Sequence, residues 1–429
     1  MELKVFKFGG ASVRDAENIR NVGSIINSHK GDKILIVVSA MGKTTNALEE
    51  VVRSYWQKTD AVESNILKVK DKHHSVIEEL FEDGTAIKGE LNDLFVEIDW
   101  LIEEEVKDSY DYIYDQIVSV GELLSSKVLS AYLGTTGLRS AWLDVRDIIK
   151  TDEIYRGAKV DWDSTLSLAK GGINELFKNA DVIVTQGFIG STNDNQTTTL
   201  GREGSDFTAS ILSYCMDAKE MCIWKDVPGV LTADPRLFKN PIKLDKLTYK
   251  EAIEMTYYGA KVIHPKTIKP LENKGIKLYV KPFNDPDGEG TLISSAGSDH
   301  YPPVIVVEKD QVLISISSND FSFIAEDHLS MIFNLLAKYR LKVNLMRNTA
   351  ISFIVCLTRE EDRIAGLKEE LEKQFTVTQE KDLELVTVRH YNDETVASLV
   401  KSKMVLLEER HMSTIQMVIR EVPLQQRIE

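Results

Sequence analysis

Two glycine-rich segments of the chain carry charged side chains that could bind an anionic ligand. The first, Lys7-Phe8-Gly9-Gly10-Ala11-Ser12, follows a short strand-like run and precedes a helical pattern. Adjacent glycines let backbone N–H groups approach an anion closely, and the start of a following helix adds a positive dipole. Lys7 could then supply a point charge to a phosphate. The spacing G-x-x-x-x-G-K-[ST] of a Walker A loop is missing, and a plain strand-to-helix turn with a solvated lysine remains the alternative.

The second segment, residues 198–206, reads Thr-Thr-Leu-Gly-Arg-Glu-Gly-Ser-Asp and opens onto a predicted helix over 207–216. An arginine can hold a carboxylate with two parallel hydrogen bonds, so Arg202 makes the loop suitable for capturing a carboxylate ligand. The alternative is that Asp206 merely caps the helix after a flexible loop. A helix cap does not require an arginine, which favours the ligand-binding interpretation.

Three further segments are less specific. Glu122 lies at the start of an apolar helix and could bind an ammonium group, although an acid in the first turn also stabilises an ordinary helix. Residues 224–236 contain turn-forming Pro-Gly and Asp-Pro pairs. Residues 259–265 include Lys261, which could neutralise a phosphate or only cap a helix. His264 precedes a proline, and we interpret it as structural.

The elements that must position these residues follow from the apolar pattern. Leu3–Phe8 and Lys33–Val38 are strand-like, and residues 15–29 between them carry apolar side chains at helical spacing. Strand, helix and strand in this order predict a right-handed βαβ unit. Three further strand-like runs lie at 181–185, 220–224 and 277–281. Helical patterns over 46–133 and in the remaining gaps predict a mostly parallel sheet covered by helices on both faces.

A change in composition after residue 283 indicates a second region. Proline, glycine, serine and aspartate are frequent over 284–303, and we place a linker at 294–310. The elements predicted beyond it are strands at 312–317, 342–346, 351–357, 383–389, 404–407 and 414–419 and helices at 326–339, 360–374 and 394–400. This order predicts a weak structural repeat. The expected domains are 1–293, a first small α+β unit over 311–381, and an abbreviated second unit over 382–429.

Composition excludes several classes of protein. The 429 residues contain 52 Lys and Arg against 67 Asp and Glu, a net charge of −15, which disfavours a nucleic-acid-binding protein. Three cysteines without a C-x-x-C pair indicate neither a disulfide framework nor a zinc site. We also find no signal-peptide pattern and no apolar run long enough to span a membrane. We therefore expect a cytoplasmic protein.

Taken together, the motifs resemble those of the aspartate kinases in the amino-acid kinase superfamily. Segments similar to that family's motifs occur in the family's order at 7–12, 38–46, 121–125, 186–190, 198–206, 224–236 and 259–265. The resemblance covers roughly residues 3–293, and the region beyond resembles the family's tandem ACT regulatory units. It implies an α/β fold: a three-layer αβα sandwich with a mostly parallel sheet, followed by small α+β ACT-like units.

The resemblance also implies roles for individual residues. Catalysis would depend on Lys7, Asp206 and Lys261. The amino-acid pocket would contain Ser39, Thr45, Glu122, Phe188, Arg202 and Ser205. The ATP site would contain Lys7, Gly9, Gly10, Ser12, Lys225, Asp226, Leu231, Arg236 and Lys261. Arg202 would hold a carboxylate of the substrate and Glu122 its amino group, ATP would bring Mg²⁺, and no residue is assigned as a metal ligand.

Four positions depart from the family's pattern. Ala11 replaces a threonine after the glycines, and Glu203 replaces a glycine beside Arg202. Lys225 stands where threonine or serine is usual, and Leu231 where an aromatic residue is frequent. These departures affect the expected packing of adenine and the affinity for phosphate, but they leave Lys7, Glu122, Arg202 and Asp206 in place.

The expected function is ATP-dependent phosphorylation of the β-carboxylate of L-aspartate, the first step towards lysine, threonine and methionine. Two alternatives remain open at this point: a kinase for another amino acid, such as glutamate or acetylglutamate, and a catalytically weak regulatory protein that senses amino acids. Since Glu122 suits a free amino group, it disfavours an acylated acceptor.

The ACT-like region implies at least a homodimer and an amino-acid effector, with lysine favoured and threonine also considered. The candidate effector residues are Asn344, Met346, Asn348, Thr349 and Ile351. Asn344 and Ala350 occupy positions where lysine-sensitive relatives tend to carry acids. A region that only dimerises is therefore the alternative.

Overall fold

The computed structural model describes residues 2–103, 106–260, 263–298, 300–319 and 322–421. The chain divides into two compact units. Unit 1 comprises residues 1–230, 243–253 and 262–298, and unit 2 comprises residues 231–242, 254–261 and 299–429. Short segments near residues 231–242 and 254–261 thus belong with the C-terminal region, which the apolar pattern does not indicate.

Unit 1 is built on an eight-stranded sheet with the strand order β3-β4-β2-β1-β7-β9-β10-β8. These strands are β1 (Leu3–Phe8), β2 (Lys33–Val38), β3 (Ser140–Leu143), β4 (Val182–Gln186), β7 (Glu220–Lys225), β8 (Lys246–Thr248), β9 (Lys277–Pro282) and β10 (Thr291–Ser294). A separate hairpin is formed by β5 (Ile189–Ser191) and β6 (Thr197–Thr199). All neighbours in the large sheet are parallel except β9 and β10. This confirms the predicted mostly parallel sheet.

The helices of the first 298 residues are α1 (Ala16–Ser28), α2 (Thr44–Trp56), α3 (Val62–Leu80), α4 (Thr85–Glu103), α5 (Tyr110–Val118), α6 (Val120–Thr135), α7 (Trp162–Leu176), α8 (Gly204–Cys215), α9 (Tyr249–Tyr257) and α10 (Pro265–Lys274). Helices α6 and α8 pack directly on the central strands. The strand β2 is buried from residue 34 to residue 38, as its continuous apolar run requires when both faces are covered. Among the described residues, no helix combines the length and the apolar character needed to cross a bilayer.

The register of the central strands places the chemically active segments together. In the parallel sheet, Lys7 pairs with Val37 on one side and Ile223 on the other. The carboxyl ends of β1, β2, β4 and β7 therefore meet at one edge, where loops of an open α/β sheet usually form the ligand site.

Unit 2 contains a six-stranded sheet with the order β12-β13-β11-β14-β16-β15, and every neighbouring pair is antiparallel. Its elements are β11 (Val304–Ser318), α11 (Glu326–Lys338), β12 (Val343–Asn348), β13 (Ser352–Thr358), α12 (Glu361–Leu371), β14 (Phe375–Arg389), α13 (Asp393–Val400), β15 (Lys403–His411) and β16 (Thr414–Glu421). The helices and strands predicted for this region agree with these elements to within about four residues, except at the starts of β11 and β14, which both begin eight residues before the predicted strands.

The strand β11 differs from the prediction because it begins inside the expected linker 294–310. Residues 304–308 pair with the second half of β14, and residues 311–318 pair with β13 and the first half of β14. The register shifts between Glu308 and Gln311, where Asp310 adopts a positive φ of 56°. A bulge of this kind bends a strand without ending it. The charged residues Glu308, Lys309 and Asp310 interrupt the apolar alternation, which is why the sequence suggested a shorter strand.

The long β11 also changes the view of the second repeat. The second half of β14, α13, β15 and β16 form a small unit that receives residues 304–308 as its additional strand. The second unit, predicted to be abbreviated at 382–429, therefore draws on a strand from before the first one. Each half has its own core: α11 and α12 cover Ile314 and Val355, while α13 covers Val388 and Met417.

Candidate functional site

A cavity of about 580 Å³ lies at the carboxyl edge of the parallel sheet in unit 1. Ten of the residues assigned from the sequence line it: Lys7, Gly10, Ser39, Thr45, Glu122, Phe188, Arg202, Ser205, Asp206 and Lys225. They come from six separate stretches of chain, and the parallel register of the sheet brings these stretches together. The cavity is therefore the candidate functional site.

The floor of the cavity contains an ion pair between β1 and the first turn of α8. The Nζ of Lys7 lies 2.7 Å from Oδ1 of Asp206, and both side chains are almost completely buried. Burial acts to raise the pKa of Asp206, but the positive charges of Lys7 and Lys225 hold it below its usual value. Asp206 consequently stays ionised and fixes the position of the lysine.

The glycine segment after β1 is held by a close backbone contact. A Cβ on Gly10 would lie 2.6 Å from the carbonyl oxygen of Ala40, so no larger residue fits there. The N–H of Gly42 donates to the carbonyl of Gly10 at 2.9 Å, which ties the loop after β2 to the loop after β1. Gly10 is thus required for the approach of two loops that both line the cavity.

Glu122 is buried in the first turn of α6, with one carboxylate oxygen left over. Its Oε1 accepts a hydrogen bond from the Ala40 N–H at 3.3 Å. Its Oε2 is buried and has no hydrogen-bond partner in the part of the chain that the structure describes. Burial raises the pKa of Glu122 to about 8, although the Ala40 N–H and the charge of Lys7 act in the opposite direction. An unpaired buried carboxyl oxygen of this kind suits a cationic ligand.

The loop before α8 places Arg202 and Glu203 at the mouth of the cavity, where both are exposed. Arg202 has no ion-pair partner among the residues that the structure describes, so its guanidinium is available to a carboxylate. Glu203 has a φ of 55°, and its side chain does not cap the helix. This left-handed conformation explains why a glycine suits the position better.

Several other assigned residues are placed differently. Gly9, Ser12 and Asp226 belong to unit 1 but do not line the cavity. Leu231 and Arg236 belong to unit 2, where Arg236 forms a bidentate pair with Asp234. Lys261, assigned both to catalysis and to ATP binding, lies outside the described residues.

The cavity also has lining residues that were not predicted as site residues, including Tyr114, Arg156 and Thr199. The guanidinium of Arg156 lies 4.4 Å from the centre of the Tyr114 ring and forms an ion pair of 3.2 Å with Asp111. Thr199 lies in the glycine-rich segment 198–206, so its neighbours in sequence indicate a binding site. The sequence around Arg156 does not indicate a site, because a lone arginine in a loop cannot be distinguished from a solvated residue.

A first prediction concerns the strain at Glu203. Replacing Glu203 with glycine should raise stability by up to about 1 kcal/mol, because glycine adopts positive φ without the steric cost of a Cβ. Lys58→Gly is the matched control, since Lys58 has a φ of 53° and does not line the cavity. Thermal unfolding should show both variants at or above the Tm of the wild type. A Tm several degrees lower for Glu203→Gly alone would contradict the interpretation.

Comparisons with known proteins agree with this geometry. The model of the amino acid kinase family matches residues 2–282. Lysine-sensitive aspartokinase 3 of Escherichia coli (strain K12) is 30% identical over 364 residues, which are 83% of this chain and 78% of that protein.

Two solved structures extend the similarity to the fold of nearly the whole chain. E. coli aspartokinase III in complex with aspartate and ADP has a TM-score of 0.82 at 27% identity, covering 97% of this chain and 96% of that one. The same enzyme with lysine and aspartate has a TM-score of 0.82 at 28% identity and the same coverage. Family match, relatives and site geometry lead to one conclusion: this chain belongs to the aspartokinases, the phosphotransferases of the amino acid kinase family that act on aspartate.

Proposed function

We propose that the cavity of unit 1 binds L-aspartate beside ATP and transfers the γ-phosphoryl group to the β-carboxylate, giving 4-phospho-L-aspartate. The observation that carries the proposal is that one cavity combines the buried Lys7–Asp206 pair with Glu122 and Arg202. The E. coli structure in complex with aspartate and ADP supports an amino-acid site together with an adenine-nucleotide site. The proposed place of this reaction is the first step towards lysine, threonine and methionine.

Recognition of the acceptor depends on opposite charges at two places. Aspartate carries an ammonium group and two carboxylates near neutral pH. Arg202 would hold one carboxylate with its planar guanidinium, and the unpaired Oε2 of Glu122 would accept a hydrogen bond from the ammonium group. Ser39, Thr45, Phe188 and Ser205 would complete the pocket around the substrate. An N-acylated acceptor lacks the ammonium group and would leave Glu122 without a partner.

The transfer step needs no general base, because the attacking β-carboxylate is already ionised. Its oxygen attacks the γ-phosphorus, and the bond to the β,γ-bridging oxygen of ATP breaks, leaving ADP. Lys7, held by Asp206, would neutralise charge on the moving phosphoryl group, and Lys225 adds a second positive charge close by. Alignment of the two substrates and this fixed charge account for catalysis.

Magnesium would arrive with ATP. Mg²⁺ in kinases usually takes one or two protein carboxylates in addition to phosphate oxygens, and the cavity lining includes the carboxylates of Asp206 and Glu203. The bound ion would neutralise charge on the phosphates. The remaining nucleotide contacts are proposed for Gly9, Gly10, Ser12, Asp226, Leu231, Arg236 and Lys261.

We also propose an amino-acid effector site on β12 of unit 2, with lysine as the first candidate and threonine as the second. The E. coli relative in complex with lysine supports the choice. The strand β12 is an edge of its sheet, and Met346, Asn348 and Ile351 are exposed there. The Asn344 amide instead donates within unit 2, to Gln311 and Thr358, both at 2.9 Å. Thr349 bonds Ser352 in the adjoining turn. A homodimer or larger assembly remains a prediction.

The roles of Lys7 and Arg202 can be separated by kinetics. Lys7→Ala should lower kcat by about 10²–10⁴-fold, as loss of a preorganised charge does. Arg202→Ala should mainly raise the KM for aspartate, because it removes a contact made in the ground state as well. A hydroxamate assay with aspartate, glutamate and acetylglutamate measures both variants and identifies the acceptor. Near-normal kcat of the Lys7 variant at saturating ATP and aspartate would disprove its role.

The role of Glu122 predicts a pH dependence of aspartate binding. With a pKa of about 8 in the empty cavity, Glu122 is mostly protonated at pH 7 and must lose its proton to pair with an ammonium group. Affinity should therefore rise with pH up to about 8 and then level off, by at most about tenfold per pH unit.

Calorimetry in buffers of different ionisation enthalpy should show release of close to one proton per aspartate bound at pH 7. Glu122→Gln keeps the size of the side chain but should bind aspartate weakly and without proton release. If that variant released as many protons as the wild type, another group would be responsible.

The effector proposal predicts inhibition by millimolar lysine, with threonine and methionine tested singly and in pairs. The segment 343–351 contains no acid, so lysine should bind weakly, and Ala350→Glu should increase its affinity by supplying a carboxylate for the ammonium group. The coupling between effector and substrate is expected at about 1–3 kcal/mol. Absence of inhibition and of binding heat for all three amino acids would leave unit 2 as an assembly module.

A further inference from the structure

Asp115 is a buried carboxylate that none of the proposed steps uses. It lies on α5, is completely inaccessible to solvent, and does not line the cavity. Its two oxygens accept hydrogen bonds from two other segments of chain. The N–H of Arg156 donates to Oδ2 at 3.0 Å, the N–H of Thr199 donates to Oδ2 at 2.8 Å, and the Thr199 hydroxyl donates to Oδ1 at 2.8 Å.

The two segments held by Asp115 form one wall of the cavity. Arg156 and Thr199 both line it, and Thr199 precedes Arg202 by three residues. The segments also contact each other, since the Ala158 N–H donates to the Thr199 carbonyl at 2.9 Å. A Cβ on Gly201 would lie 3.2 Å from the Arg156 carbonyl oxygen. A shift of either segment would therefore move the loop that carries Arg202.

The backbone of Arg156 needs such a restraint. Its φ of 62° is in the left-handed region, which a residue with a side chain rarely adopts unless its surroundings impose it. The Asp115 carboxylate holds the N–H of this residue, while the guanidinium is occupied by Asp111 and the Tyr114 ring. Asp115 thus fixes the main chain of Arg156 rather than neutralising its charge.

Burying a carboxylate is costly unless its hydrogen bonds are satisfied. Burial raises the pKa of Asp115 to about 6, against the lowering effect of the hydrogen bonds from Arg156 and Thr199. An apolar residue at this position of α5 would avoid that cost while filling the same space. The charged group is useful only if the hydrogen bonds it accepts are needed where they are, at the wall of the cavity.

We infer that Asp115 is a positioning residue for the acceptor half of the site, which sets the 199–202 loop so that Arg202 meets the carboxylate of the amino acid. The inference rests on the proposed function and adds a residue to it. Asp115 has no bond to Lys7, Gly9 or Gly10 in the hydrogen-bond network of the described residues. Its effect should consequently fall on the acceptor and leave the nucleotide unaffected.

The test separates the two substrates. Asp115→Ala should raise the KM for aspartate by about tenfold or more, since small displacements of a binding group strongly reduce its contribution, while the KM for ATP changes less than about threefold. Asp115→Asn should stay within about threefold of the wild type for both. Its amide oxygen can accept from the two N–H groups, and its NH₂ can donate to the Thr199 hydroxyl.

Thr151→Val is the matched control. Thr151 shares a 2.7 Å hydrogen bond with the hydroxyl of Thr198, so the variant loosens the same strand β6, yet neither threonine lines the cavity. It should lose stability without a change in the KM for aspartate. Thr199→Val removes only the hydrogen bond from the Thr199 hydroxyl to Asp115. It replaces Asp115→Ala as the test variant if the alanine variant does not fold. We expect it to raise the KM for aspartate by about two- to fivefold.

Two results would overturn the inference. One is an unchanged aspartate KM in both Asp115→Ala and Thr199→Val, or in Thr199→Val alone if the alanine variant does not fold. The other is an equal rise for aspartate and ATP, or an equal rise in Thr151→Val, which would mean general loosening. Failure of the proposed function itself would look different, because the wild type would then show no aspartate-dependent turnover of ATP.

Discussion

The ion pair between Lys7 and Asp206 is the interaction on which the arrangement of the site depends. It joins Lys7, near the carboxyl end of β1, to Asp206 in the first turn of α8. The Nζ of Lys7 lies 2.7 Å from Oδ1 of Asp206, and both side chains are almost completely buried. A buried lysine without a partner would be strongly destabilising. With Asp206 in place, its charge stays fixed at the edge of the sheet, close to Glu122 and Lys225. The chain also packs closely beside Asp206, since a Cβ on Gly187 would lie 2.4 Å from the Cβ of Ser205, the preceding residue.

The sequence was informative where charged residues lie in glycine-rich segments at the ends of predicted elements. Lys7, Arg202 and Asp206 lie within two residues of a glycine in such segments, and a parallel sheet brings the carboxyl ends of its strands to one edge. Local patterns do not report long-range pairing in the same way. The sequence places residues 304–308 in a linker, because nothing in their local pattern indicates their strand partner, the second half of β14, some 80 positions later in the chain.

Asp115 and Arg156 illustrate a second limit of the sequence. Asp115 lies in the helix α5 among apolar neighbours, where one acid is compatible with a solvated helical face. Only the folded chain shows that it is buried and bonded to Thr199, 84 positions away. Residues that are close in sequence can also be separated in the fold. The 224–236 motif is divided after residue 230, and Leu231 and Arg236 belong to unit 2.

Three buried carboxylates, those of Asp206, Asp115 and Glu122, differ in their pKa. They differ because nearby positive charges and hydrogen-bond donors offset the effect of burial to different extents. Two lysines hold the pKa of Asp206 below its usual value. Burial raises the pKa of Asp115, which accepts hydrogen bonds from three donor groups, to about 6. It raises the pKa of Glu122, which accepts a hydrogen bond from the Ala40 N–H, to about 8. All three are buried, so desolvation alone cannot order them. The order follows the positive charge and the hydrogen-bond donors that each group meets. Glu122 has the fewest charges and donors to offset its burial, and it lines the cavity with Oε2, which has no hydrogen-bond partner among the described residues. A ligand that brings an ammonium group supplies the compensation that the protein lacks there, which is why affinity for a free amino acid and the protonation of Glu122 must be coupled.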